Sequence, residues 1–135
     1  MRSRGAGAVL ALVLAAPIAA GCQPPPESVR VEIVIHYSHF TPFEISVPHG
    51  VPVRFVLTSR DPIEHEWLIG DAAFHERHRT GTEPSHGERP NEVTIPPLGT
   101  VETTLTFDQP GEVVAFICHV PGHEAYGMVG TLRVT

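Results

Sequence analysis

Lysine is absent from all 135 residues of the chain, and nine arginines are its only strongly basic side chains. No block of basic residues could follow a phosphate backbone. The formal net charge is −6 with histidine neutral, and it becomes −8 when residues 1–21 are set aside, because seven arginines then face 15 acidic residues. The sequence therefore argues against a nucleic-acid partner, and it favours a cationic surface on any partner that binds by charge.

The long apolar run of the chain lies near its beginning, over residues 9–20. At about 1.5 Å per helical residue, this run is short for a membrane span. Arg2 and Arg4 precede it and small residues follow it, which is the layout of a secretory signal. Residues 1–21 are therefore predicted to be a signal peptide, so that the mature protein is exported to the periplasm or another extracytoplasmic space.

The A-A-G-C sequence at the end of this signal is similar to the lipobox of bacterial lipoproteins, although Ala19 stands where leucine is usual. Cys22 would then be the lipidated first residue of the mature protein. Residues 22–28 would hold the lipidated cysteine and a proline-rich, extended tether to the membrane. The alternative is ordinary signal cleavage nearby, which would leave Cys22 as a free thiol.

Cysteine is scarce, since Cys22 and Cys118 are the only two in the chain. Two cysteines in an exported protein would ordinarily suggest a disulfide. If Cys22 carries lipid, however, Cys118 stands alone in an oxidising compartment. An unpaired thiol there needs a reason, and metal ligation is one.

From residue 28 onward the sequence has the pattern of a β protein. Short segments rich in β-branched and aromatic residues are separated by proline and glycine, and they are residues 29–35, 44–48, 51–58, 65–70, 93–96, 101–107, 112–118 and 128–134. The two segments that flank the Pro-His-Gly turn at residues 48–50 are expected to pair with each other. The pattern predicts a single all-β domain over residues 29–135, a Greek-key β-sandwich or barrel of about eight strands.

Residues 70–91 break this rhythm with a polar insertion after the strand that begins at His65. The insertion contains three histidines and is long for a connection in a compact domain. Asp71 could cap a helical turn that runs through residue 79, which would place His75 and His78 one turn apart on one face. The alternative is a solvated insertion with no metal role.

The segment C-H-V-P-G-H-E-A-Y-G-M, from Cys118 to Met128, brings a thiol, two imidazoles and a thioether into one loop between two predicted strands. Side chains alternate along the strand before it, so Phe116 and Cys118 face one way and His119 the other. If Phe116 points into the core, the sulfur of Cys118 points inward as well. His119 is then turned away and is not expected to share its site.

Proline and glycine let this loop turn back, so that His123 and Met128 can approach Cys118. A second histidine must come from elsewhere, and His65 at the start of its own strand is best placed. Two imidazoles, one thiolate and a weak thioether form a site for copper, since soft sulfur suits Cu(I) and imidazole suits Cu(II). Trp67, on the same strand face as His65, is expected to be a core aromatic residue.

The C-x4-H-x4-M spacing, the upstream histidine and the eight-strand pattern resemble the cupredoxins, the family of plastocyanin, azurin and rusticyanin. The P-G-H…G-M-x-G ending resembles the rusticyanin-like and small bacterial plastocyanin-like members in particular. The resemblance covers residues 29–134 and implies one mononuclear type 1 copper. The ligands that it implies are His65, Cys118, His123 and Met128.

The resemblance also implies that the ring edge of His123 is exposed as a port for electrons, inside an apolar patch formed by Pro42, Pro121 and Tyr126. Two features depart from the family. Many members have asparagine after the first ligand histidine, where it ties the two ligand loops together, but Glu66 stands here. The simplest plastocyanin-type members also lack the histidine-bearing insertion.

Electron transfer is the function that the resemblance implies. The protein would be an exported, monomeric copper protein that carries single electrons and is not an enzyme. Its expected partner is a redox protein such as a c-type cytochrome or an oxidase.

Copper handling is the alternative, in which the protein binds or carries copper outside the cytoplasm for tolerance or delivery. The insertion would then supply auxiliary metal ligands, namely His75, His78 and His86. This alternative predicts more than one copper per chain, whereas electron transfer predicts one. A third possibility is a metal-free adhesion or scaffold domain, for which Cys118→Ala would change nothing but stability.

Overall fold

The computed structural model describes residues 28–135, so the predicted signal peptide, Cys22 and most of the tether lie outside the described residues. This part of the chain contains nine strands and one short helix. In chain order they are β1 (Val29–His36), β2 (His39–Thr41), β3 (Glu44–Val47), β4 (Val53–Ser59), β5 (His65–Gly70), α1 (Ala72–Thr80), β6 (Glu92–Ile95), β7 (Thr100–Leu105), β8 (Val113–Ile117) and β9 (Val129–Val134). Within residues 28–135, no helix has the length and apolar character that a membrane crossing requires.

The strands form two sheets that enclose one core, which confirms the predicted β-sandwich. One sheet has the order β2-β1-β4-β7 and the other the order β3-β9-β8-β5-β6. The alternation in β1 turns Ile33 and Ile35 fully into the core, which they share with Trp67 and Phe116 of the other sheet. Trp67 is thus a core aromatic residue, as predicted. The short β2 is the strand that the sequence pattern did not indicate.

The expected pairing of the two segments around residues 48–50 is wrong. β3 pairs in parallel with β9, and β4 lies in the other sheet between β1 and β7. The turn is held at the crossing between the sheets, where the N–H of His49 donates to the carbonyl of Thr135 and the N–H of Gly50 to that of Phe107. This crossing between the sheets buries both Val47 of β3 and Val53 of β4 in the same core, each from its own sheet.

The insertion begins with a capped helix, as predicted. The Asp71 carboxylate accepts the N–H of Phe74 at 2.7 Å, and α1 ends at Gly81, which has a φ of +65°. Phe74 and His75 are the buried residues of α1, whereas residues 81–90 are almost all exposed. The description as a solvated insertion therefore fits its second half only.

Three neighbouring strands bring the predicted ligands to one end of the second sheet. β8 pairs in antiparallel fashion with both β5 and β9. The start of β5, the end of β8 and the start of β9 therefore lie together. His65 opens β5, Cys118 directly follows β8, and Met128 directly precedes β9.

Candidate metal centre

Cys118 is fully buried and enters the core on the same side as Phe116. Its sulfur therefore points inward, as strand alternation predicted. His119 points the other way and meets the insertion, where its Nε2 lies 2.9 Å from Nδ1 of His75. His119 consequently stands apart from the cluster around Cys118.

Main-chain hydrogen bonds close the loop that follows Cys118. The N–H of Cys118 donates to the carbonyl of Met128 at 3.2 Å, and the N–H of Met128 donates to the carbonyl of His123 at 3.0 Å. Gly127, with a φ of +92°, lets the chain turn back between them. The backbone therefore fixes these three residues relative to one another.

Two histidines and the thiol converge on one point. Nδ1 of His65 lies 3.3 Å from Nδ1 of His123, which is itself 3.3 Å from Sγ of Cys118. All three side chains are buried, and their ligand atoms lie within 4.8 Å of one another. Met128 is fully buried and bonded through its backbone to both loop residues. The structure thus brings the four predicted residues together in an arrangement like a type 1 copper site.

The other ring nitrogen of His65 is held by Asp61, a residue that the sequence analysis missed. Nε2–H of His65 donates to the buried Asp61 carboxylate at 3.0 Å. The same carboxylate accepts the backbone N–H groups of Tyr37 and Ser38, each at 2.8 Å. These bonds orient the ring so that its Nδ1 lone pair faces the cluster. The signal in the sequence is weak, since it consists of an aspartate in a D-P turn four positions before the histidine.

Burial and hydrogen bonding set the charges around the site. Burial alone would raise the pKa of Asp61, but two backbone N–H groups and His65 bring that pKa below its usual value. Burial lowers the pKa of His65, against the opposing effect of Asp61. Burial also raises the pKa of the Cys118 thiol. Because cysteine binds metals as the thiolate, metal binding here should release a proton.

Glu66 occupies the position where many cupredoxins have asparagine, yet the sulfur still receives a hydrogen bond there. The backbone N–H of Glu66 donates to Sγ of Cys118 at 3.3 Å. This contact joins the start of β5 to the loop after β8 without any help from the Glu66 side chain. The main chain therefore supports the sulfur of Cys118 although asparagine is absent.

The structure divides the three insertion histidines between two places. His75 is buried, and its ring lies between a backbone carbonyl of β8 and the ring of His119. Burial lowers the pKa of His75, and it lowers the pKa of His119 to about 4. His78 and His86 instead lie beside Glu92.

Sequence comparison identifies the family. The model of copper binding proteins of the plastocyanin/azurin family matches residues 28–135. The chain belongs to this family. Copper-resistant cuproprotein CopI of Pseudomonas aeruginosa is 32% identical to this cupredoxin over 136 aligned positions, which cover 77% of the chain and 75% of that relative. A protein of the same name from Rubrivivax gelatinosus is 33% identical over 70% of the chain, and the match spans 59% of that relative.

Solved cupredoxin structures share the fold. Auracyanin B superposes with a TM-score of 0.65 at 22% identity, over 84% of this chain and 92% of its own. Auracyanin A of Chloroflexus aurantiacus, described as a blue copper protein, superposes with a TM-score of 0.63 at 23% identity, over 81% of this chain and all of its own. At these identities the likeness concerns the fold, and it confirms the predicted cupredoxin architecture.

Copper is the cofactor of this family, and the donor set of this cupredoxin fits it. Two imidazoles, a thiol and a thioether combine the ligands that copper accepts in both oxidation states, whereas structural zinc sites favour further cysteine or histidine over methionine. The residues that would hold the metal are His65, Cys118, His123 and Met128. When bound, copper supplies one-electron exchange between Cu(I) and Cu(II).

We expect Asp61→Asn to weaken Cu(II) binding by this cupredoxin about 10- to 100-fold and to raise its reduction potential. The amide oxygen can still accept a hydrogen bond from His65, but the substitution removes a negative charge that favours the more highly charged Cu(II) state. Chelator competition measures the affinity, and voltammetry measures the potential.

Asp71→Asn is the matched control for this prediction, because asparagine caps a helix about as well as aspartate does. It should leave both quantities unchanged. Equal shifts in the two variants, or no shift in Asp61→Asn, would contradict the role assigned to Asp61.

Proposed function

We propose that this cupredoxin holds one type 1 copper outside the cytoplasm, exchanges single electrons with a partner protein, and serves copper tolerance. The observation that carries the proposal is the enclosed ligand cluster. His65, Cys118 and Met128 have no exposed surface, and main-chain bonds fix the ligand loop. A frame that holds its ligands in one arrangement reduces the reorganisation that electron exchange requires.

His123 is the least buried member of the cluster, with 8% of its surface exposed. This exposure supports an exit for electrons through its ring. The residues expected around that exit are Pro42, Pro121 and Tyr126, and all three are exposed. Tyr126 is exposed to 75%, and its N–H bonds to the carbonyl of His123 at 3.1 Å. The large aromatic side chain of Tyr126 is therefore exposed to solvent close to His123, the least buried of the predicted ligands.

Further apolar side chains are exposed near the other ligand histidine. Tyr37 and Leu98 are both largely exposed, and both bond through their backbone N–H groups to Asp61, which holds His65. Exposed apolar surface at this end suits docking by a redox partner. A c-type cytochrome or an oxidase with basic residues around its own docking surface would complement the net negative charge of the protein.

The role in copper tolerance is supported by the relatives rather than by the geometry. Two proteins at 32% and 33% identity are named copper-resistant cuproproteins. A closed site that retains copper would lower the concentration of free metal around the cell. We further propose that the protein is exported, anchored through a lipid on Cys22, monomeric and without enzymatic activity.

A charge placed at the proposed docking surface tests the electron exchange. We expect Tyr126→Glu to slow electron exchange with a c-type cytochrome about tenfold while leaving the visible spectrum unchanged, because it disrupts docking and no ligand. Stopped-flow absorption measures the rate. Val113→Glu is the matched control, since Val113 is also an exposed apolar residue but starts β8 at the opposite end of that strand. Equal rates for the two variants would contradict docking beside His123.

Two variants, Cys118→Ser and Tyr126→Glu, show whether copper tolerance depends on electron exchange or on copper retention. A copper-sensitive bacterial host that produces the protein should lose its added tolerance with Cys118→Ser, since that variant lacks the thiolate ligand. If tolerance also requires electron exchange, Tyr126→Glu lowers it as well. Full tolerance with Tyr126→Glu would instead assign the role to copper retention alone.

A further inference from the structure

A second group of metal-binding side chains lies between the helix and β6. Nε2 of His86 is 2.9 Å from Oε2 of Glu92, and Nε2 of His78 is 3.6 Å from the same oxygen. The three ligand atoms lie within 4.8 Å of one another. The side chains of His78, His86 and Glu92 are exposed to 14%, 22% and 11%, although His86 taken as a whole residue is exposed, like most of the loop that carries it. The group joins α1, the loop after it and the first residue of β6.

The backbone decides which nitrogen of each histidine carries the proton. Nδ1 of His78 lies 2.9 Å from the carbonyl of Phe74, and Nδ1 of His86 lies 2.7 Å from the carbonyl of Gly87. A carbonyl oxygen only accepts, so Nδ1 must be the protonated nitrogen in both neutral rings. Nε2 of each neutral ring is then unprotonated and carries a lone pair that can bind a metal.

Both of these lone pairs face a carboxylate oxygen, which also only accepts. Three acceptors therefore converge with no hydrogen between them unless a proton or a metal ion supplies positive charge. A histidine that ligates a metal typically donates its other ring N–H to a backbone carbonyl, as His78 and His86 both do. The arrangement is thus that of two oriented ligands and a carboxylate.

Neighbouring arginines fix the carboxylates without filling the gap between the three acceptors. Arg89 Nη1 donates to Oε1 of Glu92 at 3.2 Å, which leaves Oε2 facing the histidines. Glu83 approaches His86 at 3.7 Å, but its two oxygens are bonded to Arg77 and Arg89. Glu92 is therefore the carboxylate with an oxygen available to a metal.

We propose that His78, His86 and Glu92 form a second metal site that binds Cu(II), separate from the type 1 centre. Two imidazoles and a carboxylate suit divalent metals of the later first row, among which Cu(II) generally binds most tightly. Cu(I) prefers soft sulfur ligands, and these three residues offer none. The site therefore favours Cu(II) over Cu(I), so an added one-electron reductant such as ascorbate, which gives its electron to the bound Cu(II), should release the metal as Cu(I). His75 is excluded, because both of its ring nitrogens already have partners.

Copper titration of the untagged protein tests this proposal. Metal-free protein is titrated with Cu(II), and electron paramagnetic resonance separates the type 1 signal from that of an ordinary nitrogen- and oxygen-ligated Cu(II). We expect a second equivalent with the ordinary signal, which ascorbate removes. His78→Gln, His86→Gln and Glu92→Gln should each weaken its binding at least about tenfold and leave the type 1 signal unchanged.

His36→Gln is the matched control, because His36 is an exposed histidine at the end of β1. The His36→Gln protein should bind the second equivalent of Cu(II) as tightly as the unchanged protein does. Absence of a second equivalent would overturn the proposal and assign the missing positive charge to a proton. A second equivalent that persists in all three variants would also overturn it. The Cys118→Ser variant should lose the type 1 signal and keep the second equivalent. A failure of the proposed second site is therefore distinguishable from a failure of the type 1 centre.

Discussion

Cys118→Ser should abolish the intense visible absorption expected of the copper-loaded protein and lower its copper affinity about a hundredfold or more. The thiolate is the ligand whose charge transfer to Cu(II) gives the colour, and a serine hydroxyl is a poor substitute for soft sulfur. Sγ of Cys118 also accepts a hydrogen bond from the N–H of Glu66, so the substitution also disturbs the contact between β5 and the ligand loop. Visible spectroscopy and chelator competition measure the two effects.

Met128→Leu provides the contrast for this result. Leucine fills a similar volume in the core, and the thioether is only the weak axial ligand. This variant should keep an intense colour while its band position and reduction potential shift. A colour that survives Cys118→Ser, or that disappears equally in both variants, would contradict the ligand roles assigned here.

Gly130→Ala should destabilise the fold by about 3 kcal/mol or more, because the new methyl group has nowhere to go. Gly130 lies opposite Phe116 in the β8–β9 ladder. A Cβ at residue 130 would overlap the fully buried ring of Phe116 and lie 2.7 Å from the backbone oxygen of Phe43. Urea denaturation of the metal-free protein measures the loss.

Gly87→Ala is the matched control, since a Cβ at residue 87 meets no atom within 4 Å. Its free energy of unfolding should change by less than about 0.5 kcal/mol. Equal stabilities of the two variants would show that β8 and β9 do not approach as closely as described. Because Cys118 and Met128 lie just beyond this contact, Gly130→Ala should weaken copper binding too.

The ligand loop was predictable from sequence because most of what positions it is local. Strand alternation turns Cys118 inward, and proline and glycine return the chain so that His123 and Met128 approach it. His65 is distant along the chain, and its place at the start of a predicted strand is what makes it the candidate for the fourth ligand. The structure brings all four together.

Contacts between distant segments were not predictable in the same way. Asp61 holds His65 and also accepts two N–H groups from the turn between β1 and β2, a meeting that no sequence period encodes. The same limit explains the incorrect pairing of β3 with β4. A Pro-His-Gly turn indicates that the chain reverses, but the choice between one sheet and two depends on which strands lie across the core.

The directions in which the histidine side chains of the insertion point could not be predicted from the sequence either. His75, His78 and His86 have the same chemistry in the sequence, and the helix over the first two was predicted. Packing of α1 against β8 buries His75 beside His119 and leaves His78 near the end of the helix, facing Glu92. The carboxylate comes from β6 and could not be assigned before the fold was known.

Titration of the metal-free protein with Cu(II), followed by visible absorption, tests the central claim most directly. We predict an intense band that reaches its full height at one equivalent, because each chain offers one buried cysteine thiol among the described residues. A further equivalent at His78, His86 and Glu92 should add no comparable intensity, since that group lacks sulfur. A weakly coloured complex at one equivalent, or an intense band that keeps growing beyond it, would contradict a single type 1 centre.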